Sequence, residues 1–155
     1  MIVTKVSVVV EDKERILLLK EWSNKRNGYF WNLIKGTFGD HEGETLEDCA
    51  KREAQEEAGI DIEIDKLISC YVSESNGCGI QFNFLAHLKK ESNPSLTNKD
   101  DQIARGEDIT EFKWFTKNEV SKLTLEKFIN NRIYKVIGDW QSGKRYSLQT
   151  ISQWN

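Results

Sequence analysis

Three glutamates within one short segment could do metal chemistry. Glu53, Glu56 and Glu57 lie in a stretch whose pattern predicts an α-helix, and each residue of a helix advances about 100° around the axis. The three carboxylates would therefore share one helix face, within an arc of roughly 100°. Such a group suits Mg²⁺ or Mn²⁺, hard cations that bind carboxylate and phosphate oxygens. The alternative is a glutamate-rich face that is simply exposed to water.

Residues around the glutamates favour the metal interpretation. Arg52 stands four residues before Glu56 and is close enough to pair with it. The preceding loop, residues 35–43, contains three glycines, which would let a ligand approach the backbone closely. A divalent cation at this place would offset the charge that develops on a pyrophosphate. The pattern therefore predicts hydrolysis of a phosphoanhydride bond by metal-activated water.

Flanking residues predict the element that positions the glutamates. Thr45 is the predicted N-cap of the helix and Gly59 its stop. Small residues recur every fourth position at Ala50, Ala54 and Ala58, so the helix should lie close against a sheet. The polar residues must then face elsewhere.

Apolar segments predict the sheet. Residues 2–10 and 15–20, separated by a charged turn, predict a hairpin, and the alternating segments 60–73 and 79–88 predict two strands joined by a turn at Asn76 and Gly77. Residues 29–34 are a short aromatic and apolar segment that leads into the glycine-rich loop. The other predictions are an exposed loop at 89–106, a strand at 109–115, a short helix at 117–123 and a longer amphipathic helix at 125–140.

Composition disfavours several classes of protein. A length of 155 residues with 38% hydrophobic residues predicts one domain, residues 1–155. The formal charge of -3 offers no positive field for a nucleic-acid polymer. We expect no membrane partner and a cytoplasmic protein, because no apolar run approaches the roughly 20 residues of a membrane helix and the N-terminus does not resemble a signal peptide. The three cysteines predict reduced, mostly buried thiols, and we expect a monomer or homodimer.

The segment from Gly36 to Ile60 resembles the box of the Nudix (MutT-like) hydrolase family. That box reads Gly, five residues, Glu, seven residues, Arg-Glu-apolar, one residue, Glu-Glu, one residue, Gly-apolar. Among the departures, seven residues separate Gly36 from Glu44, and Ala54 takes the bulky apolar position. The positions that carry the resemblance are Gly36, Glu44, Arg52, Glu53, Glu56, Glu57 and Gly59.

The resemblance implies a Nudix fold, which is an α/β/α sandwich with a mixed β-sheet. It also implies a further acid before the last strand, Glu107 or Asp108, of which Asp108 is the chosen catalytic candidate; an exposed loop acid without a role is the alternative. The implied metal site contains Gly36, Glu53, Glu56 and Glu57. The implied catalytic residues are Glu44, Arg52, Glu56, Glu57 and Asp108.

Two segments are candidates for substrate binding. Residues 140–148 are similar to the C-terminal segment of NudJ-type Nudix phosphatases, which act on nucleoside di- and triphosphates and on pyrimidine and thiamine pyrophosphates. Lys144 and Arg145 could meet phosphate and Tyr146 could stack on a heterocycle, although this segment could equally pack the terminus. In the glycine-rich loop, Lys35 is the predicted substrate contact.

The leading hypothesis is a Mg²⁺- or Mn²⁺-dependent hydrolase of a small nucleoside di- or triphosphate, or of a pyrimidine or thiamine-type pyrophosphate. The same site could instead act on a nucleotide linked to another group, such as a sugar or a dinucleoside polyphosphate. A non-catalytic nucleotide sensor of the same fold is the third alternative, although it would ordinarily lack one of the box glutamates, and none is missing here.

Overall fold

The computed structural model describes residues 1–74, 79–96 and 99–154, in which four strands precede the first helix. The strands are β1 (Val3–Asp12), β2 (Arg15–Ser23), β3 (Gly28–Asn32), β4 (Ile34–Thr37), β5 (Ile62–Ser73), β6 (Gly79–Leu88) and β7 (Ile109–Thr116). The helices are α1 (Leu46–Ala58), α2 (Lys99–Ala104), α3 (Lys117–Ser121) and α4 (Asn131–Gln141), with 3₁₀ turns at Leu125–Lys127 and Leu148–Thr150.

The strands form one mixed sheet in the order β3-β2-β1-β6-β5, in which β4 also pairs with β1 and β7 with β2. Strands β1 and β6 run parallel, and the other described pairs are antiparallel. The predicted hairpin of β1 and β2 is confirmed and closes with Asp12 opposite Arg15. Between them, Lys13 and Glu14 have positive φ angles of 49° and 62°, as a tight turn between right-twisted strands requires.

Alternation along the strands separates the two faces of the sheet. Val6, Val8 and Val10 of β1 belong to the same core cluster as the alanines of α1. Val9 points the other way and belongs to the cluster that contains the apolar face of α4. Helix α1 therefore covers one face and α4 the other. The predicted α/β/α sandwich with a mixed sheet is confirmed.

Local sequence sets both ends of α1. The Thr45 hydroxyl accepts a hydrogen bond from the N–H of Asp48, and the Asp48 carboxylate accepts one from the N–H of Thr45, which is a reciprocal capping box. Gly59 ends the helix with a φ of 64°, a conformation that glycine adopts without steric cost. Both predicted ends are confirmed. The alanines at 50, 54 and 58 are fully buried, so the helix backbone lies close to the sheet.

The predicted helix at 125–140 is too long. Residues Leu125–Lys127 form a 3₁₀ turn, and α4 begins only at Asn131. The reason is local, because the Asn130 side chain accepts a hydrogen bond from the N–H of Ile133 and caps the helix there.

Two further predictions can be compared with the structure, and a third falls on residues that it does not describe. The loop predicted at 89–106 contains the short helix α2. Cys70 is exposed while Cys49 is buried, so the expectation of mostly buried thiols is wrong for Cys70. The turn predicted at Asn76 and Gly77 lies outside the described residues. Among the described helices, none is long and apolar enough to span a membrane.

The C-terminal segment crosses an edge of the sheet. The backbone N–H and C=O of Tyr146 both pair with Leu67 of β5, at 2.8 and 2.9 Å, and so cover part of an edge strand. Further along the tail, Leu148 and Ile151 pack against the α1 side of the core. The Gln153 side-chain oxygen then accepts a 2.6 Å hydrogen bond from the N–H of Leu46, at the start of α1. The tail thus joins the two helical layers.

Candidate active site

The glutamate face of α1 meets strand β4 at Gly36. A Cβ atom at this position would stand 1.9 Å from both the Cδ and the Oε1 atoms of Glu53. The sheet holds Gly36 in place, since it pairs with Val6 of β1. Glycine is therefore required here by close packing, and any larger residue would displace the Glu53 carboxylate.

Three carboxylates converge beside Gly36. Glu53, Glu57 and Glu107 each offer one oxygen, and these three atoms lie within 4.8 Å of one another. Glu53 and Glu57 are buried and stand one helical turn apart on α1, whereas Glu107 comes from the loop between α2 and β7. A hard divalent cation takes its ligands from grouped carboxylate oxygens of this kind.

Arg52 links the glycine-rich loop to the glutamate face. Its Nε and Nη2 atoms donate to the two oxygens of Glu44 at 2.7 and 3.1 Å, which is the bidentate geometry that arginine favours. Its Nη1 atom donates to Glu53 at 2.8 Å and to Glu56 at 3.3 Å. The hydrogen bonds from Arg52 lower the pKa of Glu44. Arg52 is therefore held in one orientation and itself orients two of the glutamates.

Lys35 holds Glu57 from the other side. The Lys35 N–H donates to the Glu57 carboxylate at 3.2 Å, and the Lys35 ammonium lies 3.5 Å from the Glu21 carboxylate. Glu21 is buried and accepts a 2.5 Å hydrogen bond from the Asn32 amide. Burial lowers the pKa of Lys35, but the charges of the surrounding carboxylates outweigh it and the pKa is raised. Lys35 is thus a cation between two buried acids.

The carboxylate cluster carries more negative charge than its neighbours balance. Burial raises the pKa of Glu53 to about 7, against the opposing effect of Arg52. Burial also raises the pKa of Glu57 well above its ordinary value; Lys35 opposes this rise and the other carboxylates add to it. A divalent cation would favour the charged forms, because it brings an opposite charge to desolvated carboxylates. The donor atoms and their electrostatics both fit such an ion.

A cleft of about 510 Å³ opens beside this cluster. Its cationic lining consists of Lys5, Lys35, Arg52 and Arg105, and its acids include members of the cluster. His41 also lines it. Cations next to grouped carboxylates suit a phosphate chain, since the cations can pair with phosphate oxygens while the carboxylates hold a metal ion.

The structure brings together only some of the predicted site residues. Glu56 lines the cleft and is bound to Arg52, but it lies outside the group of three carboxylates. Asp108 accepts a 3.0 Å hydrogen bond from the Tyr29 hydroxyl and is not among the described residues that line the cleft. Glu107, the other acid considered before β7, takes the place in the cluster.

The candidate substrate residues of the tail lie away from the cleft. Lys144 forms a 2.8 Å ion pair with Asp139 of α4, and Arg145 donates to two backbone carbonyls of its own segment. Tyr146 pairs with β5, and none of the three is among the described residues that line the cleft. Burial raises the pKa of Asp139, but the hydrogen bonds from Lys144 and Tyr71 outweigh this effect, so the pKa is lowered.

Three charged residues are among the cleft residues that were not predicted from the sequence. Glu21 comes from β2, Lys5 from β1 and Arg105 from the end of α2. Each is a single charged residue within or beside an otherwise ordinary element, so residue spacing offers no signal for it. The position of Glu21, shortly after the apolar run of β2, was the one available hint, because an acid that such a strand buries needs a partner.

The comparison with protein families matches the description "NUDIX domain" over residues 1–137. The chain therefore belongs to the Nudix family. It is a hydrolase, and members of the family generally use divalent metal ions.

Named relatives and solved structures agree with this assignment. The chain is 25% identical to dihydroneopterin triphosphate diphosphatase of Escherichia coli, over 81% of this chain and 90% of that protein. It is 28% identical to ADP-ribose pyrophosphatase of Methanocaldococcus jannaschii, over 89% of this chain and 74% of that protein. Its fold is similar to that of a NUDIX hydrolase from Nitrosomonas europaea, with a TM-score of 0.77 and 22% identity over 99% and 98% of the two chains. That structural likeness shows the fold alone.

Proposed function

We propose that this protein hydrolyses a phosphoanhydride bond in a small nucleoside di- or triphosphate, or in a related heterocyclic pyrophosphate, with Mg²⁺ or Mn²⁺. The observation that carries the proposal is the group of Glu53, Glu57 and Glu107 within 4.8 Å, beside a cleft with a cationic lining. A cation bound there would supply charge stabilisation on the phosphates and a water of lowered pKa. The likeness to dihydroneopterin triphosphate diphosphatase supports a triphosphate carried by a heterocycle.

Glu53, Glu57 and Glu107 would hold the cation. Gly36 borders the site, and its backbone carbonyl is a further candidate oxygen donor. Arg52 would keep Glu53 in place through their 2.8 Å hydrogen bond, and the bidentate pair with Glu44 would keep Arg52 itself from turning. This division of roles follows from the hydrogen bonds, because the partners of metal-binding side chains fix the orientation of those side chains.

Glu56 is the carboxylate that we assign to proton transfer. Its side chain is 31% exposed and faces the cleft, whereas that of Glu53 is only 7% exposed. A general base must reach the water whose proton it accepts. Glu56 could do so while Glu53, Glu57 and Glu107 hold the cation. The Lys35 ammonium, which lies 3.5 Å from the Glu21 carboxylate at the cleft wall, would pair with a phosphate oxygen.

A linked nucleotide is the second candidate substrate. The 28% identity to an ADP-ribose pyrophosphatase supports this alternative. The same carboxylate site could serve both substrate classes, since both contain a phosphoanhydride bond. The likeness of residues 140–148 to the NudJ-type tail supports testing thiamine-type pyrophosphates as well, although none of those residues is among the described residues that line the cleft.

The test is product analysis on a substrate panel with Mg²⁺ and with Mn²⁺. The panel contains nucleoside di- and triphosphates, dihydroneopterin triphosphate, thiamine pyrophosphate and ADP-ribose. A triphosphatase releases orthophosphate or diphosphate, whereas a linked substrate yields two phosphorylated fragments. The Glu56→Gln variant should lose about 100-fold or more in turnover. The matched control is Glu111→Gln, a half-exposed glutamate of β7 paired with Lys20. No metal-dependent turnover of any compound would contradict the proposal.

A further inference from the structure

Arg105 reaches the cleft from a sharp turn at the end of α2. The Arg105 N–H bonds to the carbonyls of Asp101 and Gln102, and the N–H of Glu107 bonds back to the same Gln102 carbonyl at 2.8 Å. Gly106 between them has a φ of 74°, which allows the chain to reverse. The turn therefore presents Arg105 and Glu107 side by side at the cleft, where both are lining residues.

The partner of Arg105 is a carboxylate of the candidate metal site. Its Nη2 atom lies 3.3 Å from Glu107 Oε2. Glu53 and Glu56 line the same cleft, so Arg105 stands beside a group of acids. In the absence of a cation, the guanidinium is thus one of the positive charges that partly balance the cluster, beside Arg52 and Lys35.

Arg52, the other arginine of the cleft, is more firmly held than Arg105. Arg52 makes hydrogen bonds to three glutamates, and its side chain is 18% exposed. The side chain of Arg105 is 36% exposed and pairs with one acid among the described residues. A cation bound by Glu107 would take up the charge that now attracts Arg105. The guanidinium would then be free to turn toward an anion in the same cleft, and guanidinium groups pair well with phosphate.

We propose that Arg105 is a phosphate-binding residue, which Glu107 holds while the metal site is empty and releases to the phosphate chain of the substrate when the cation binds. This inference rests on the proposed function, because it requires that Glu107 ligate the cation. It predicts two effects of opposite sign for the loss of the guanidinium. Cation binding should become tighter, since a competing positive charge is gone, and phosphate binding should become weaker.

The test measures binding rather than turnover. Mn²⁺ is titrated into the protein without substrate, and methylenediphosphonate, a pyrophosphate mimic that cannot be hydrolysed, is titrated at saturating Mn²⁺. Arg105→Gln should bind Mn²⁺ a few-fold more tightly and bind methylenediphosphonate about tenfold or more weakly, as expected for the loss of a hydrogen bond between charged groups. Arg105→Lys, which keeps the charge but not the forked geometry, should fall between wild type and Arg105→Gln.

Arg15 supplies a closely matched control. Its Nη2 atom also lies 3.3 Å from one acid, Asp12, and its side chain is 38% exposed, but it is not among the described residues that line the cleft. Arg15→Gln should leave both affinities unchanged. If Arg105→Gln binds methylenediphosphonate like the wild type, or binds both ligands more weakly, Arg105 is only a structural residue and the inference is overturned. If the wild type binds no Mn²⁺ at all, the proposed metal-dependent function fails first.

Discussion

Replacing Gly36 by alanine tests whether the sheet sets the position of Glu53. The added Cβ would stand 1.9 Å from the Cδ and Oε1 atoms of Glu53 and 2.3 Å from its Cγ. Non-bonded heavy atoms rest about 3.5 Å apart, so the carboxyl group must retreat by about 1.6 Å. Such a shift would break the 2.8 Å hydrogen bond from Arg52 and would open the cluster, whose oxygens lie within 4.8 Å.

Two magnitudes follow from this displacement. A misplacement of about 1 Å can cost about 100-fold in rate, so turnover by Gly36→Ala should fall by at least that factor. Forcing an extra methyl group into a packed site costs about 1–3 kcal/mol of unfolding free energy. Activity should therefore be lost while the protein remains folded, since folded domains hold about 5–15 kcal/mol.

A double-mutant cycle assigns the cost to the contact between the two side chains. In the Glu53→Ala background the clashing atoms are absent, so adding Gly36→Ala should cost close to nothing. The coupling free energy between the two positions should then equal about 1–3 kcal/mol. Urea unfolding followed by tryptophan fluorescence measures it, and turnover of the best substrate from the panel measures the catalytic effect.

Gly79→Ala is the control for adding a methyl group to a strand glycine. Among the described residues, nothing would stand closer to its new Cβ than a backbone oxygen of Val3 at 3.7 Å. This is an ordinary contact, so turnover should be unchanged. The reasoning is refuted if Gly36→Ala keeps full activity, or if it destabilises the Glu53→Ala protein as much as the wild type. Either result would mean that Glu53 does not depend on the absence of a side chain at position 36.

Further predictions concern metal, tail, helix and pH. Mg²⁺ at 100 times its dissociation constant should raise the unfolding free energy by about 2.7 kcal/mol, as a thermal-shift titration would measure. Glu57→Gln should stabilise the metal-free protein, because it removes one of several buried like charges. The same variant should abolish the gain from Mg²⁺, because it removes a ligand. Gln153→Ala should cost about 1 kcal/mol in urea unfolding, since it removes the acceptor for the N–H of Leu46. Gly138→Ala should gain about 0.5–1 kcal/mol in the same assay, because the exposed helical position has open space for the methyl group. Because the pKa of Asp139 is lowered, its contribution to stability is present at neutral pH and is lost as the pH falls through the acid range. In Asp139→Asn, the unfolding free energy should therefore fall less steeply as the pH is lowered through that range. An unchanged slope would contradict this prediction.

Much of the fold follows from interactions between residues close in sequence. The ends of α1 are set within a few residues, by the capping box at Thr45 and the left-handed Gly59. Alternation in β1 assigns Val8 and Val9 to opposite layers. Such patterns can be read without coordinates, because they depend only on the periods of helix and strand. The same periodicity places Glu53 and Glu57 on one helix face, where the structure has them.

Long-range packing decided the rest of the candidate site. Neighbouring residues at the start of β7 point in different directions, so only the path of the chain after α2 shows that Glu107 joins the cluster while Asp108 meets Tyr29. Strand pairing brings Glu21 to Lys35, and a tail that resembled a substrate segment instead pairs with the β5 edge at Leu67. These contacts join residues far apart in the chain, and no local propensity or spacing carries information about which loops and strands will meet in space.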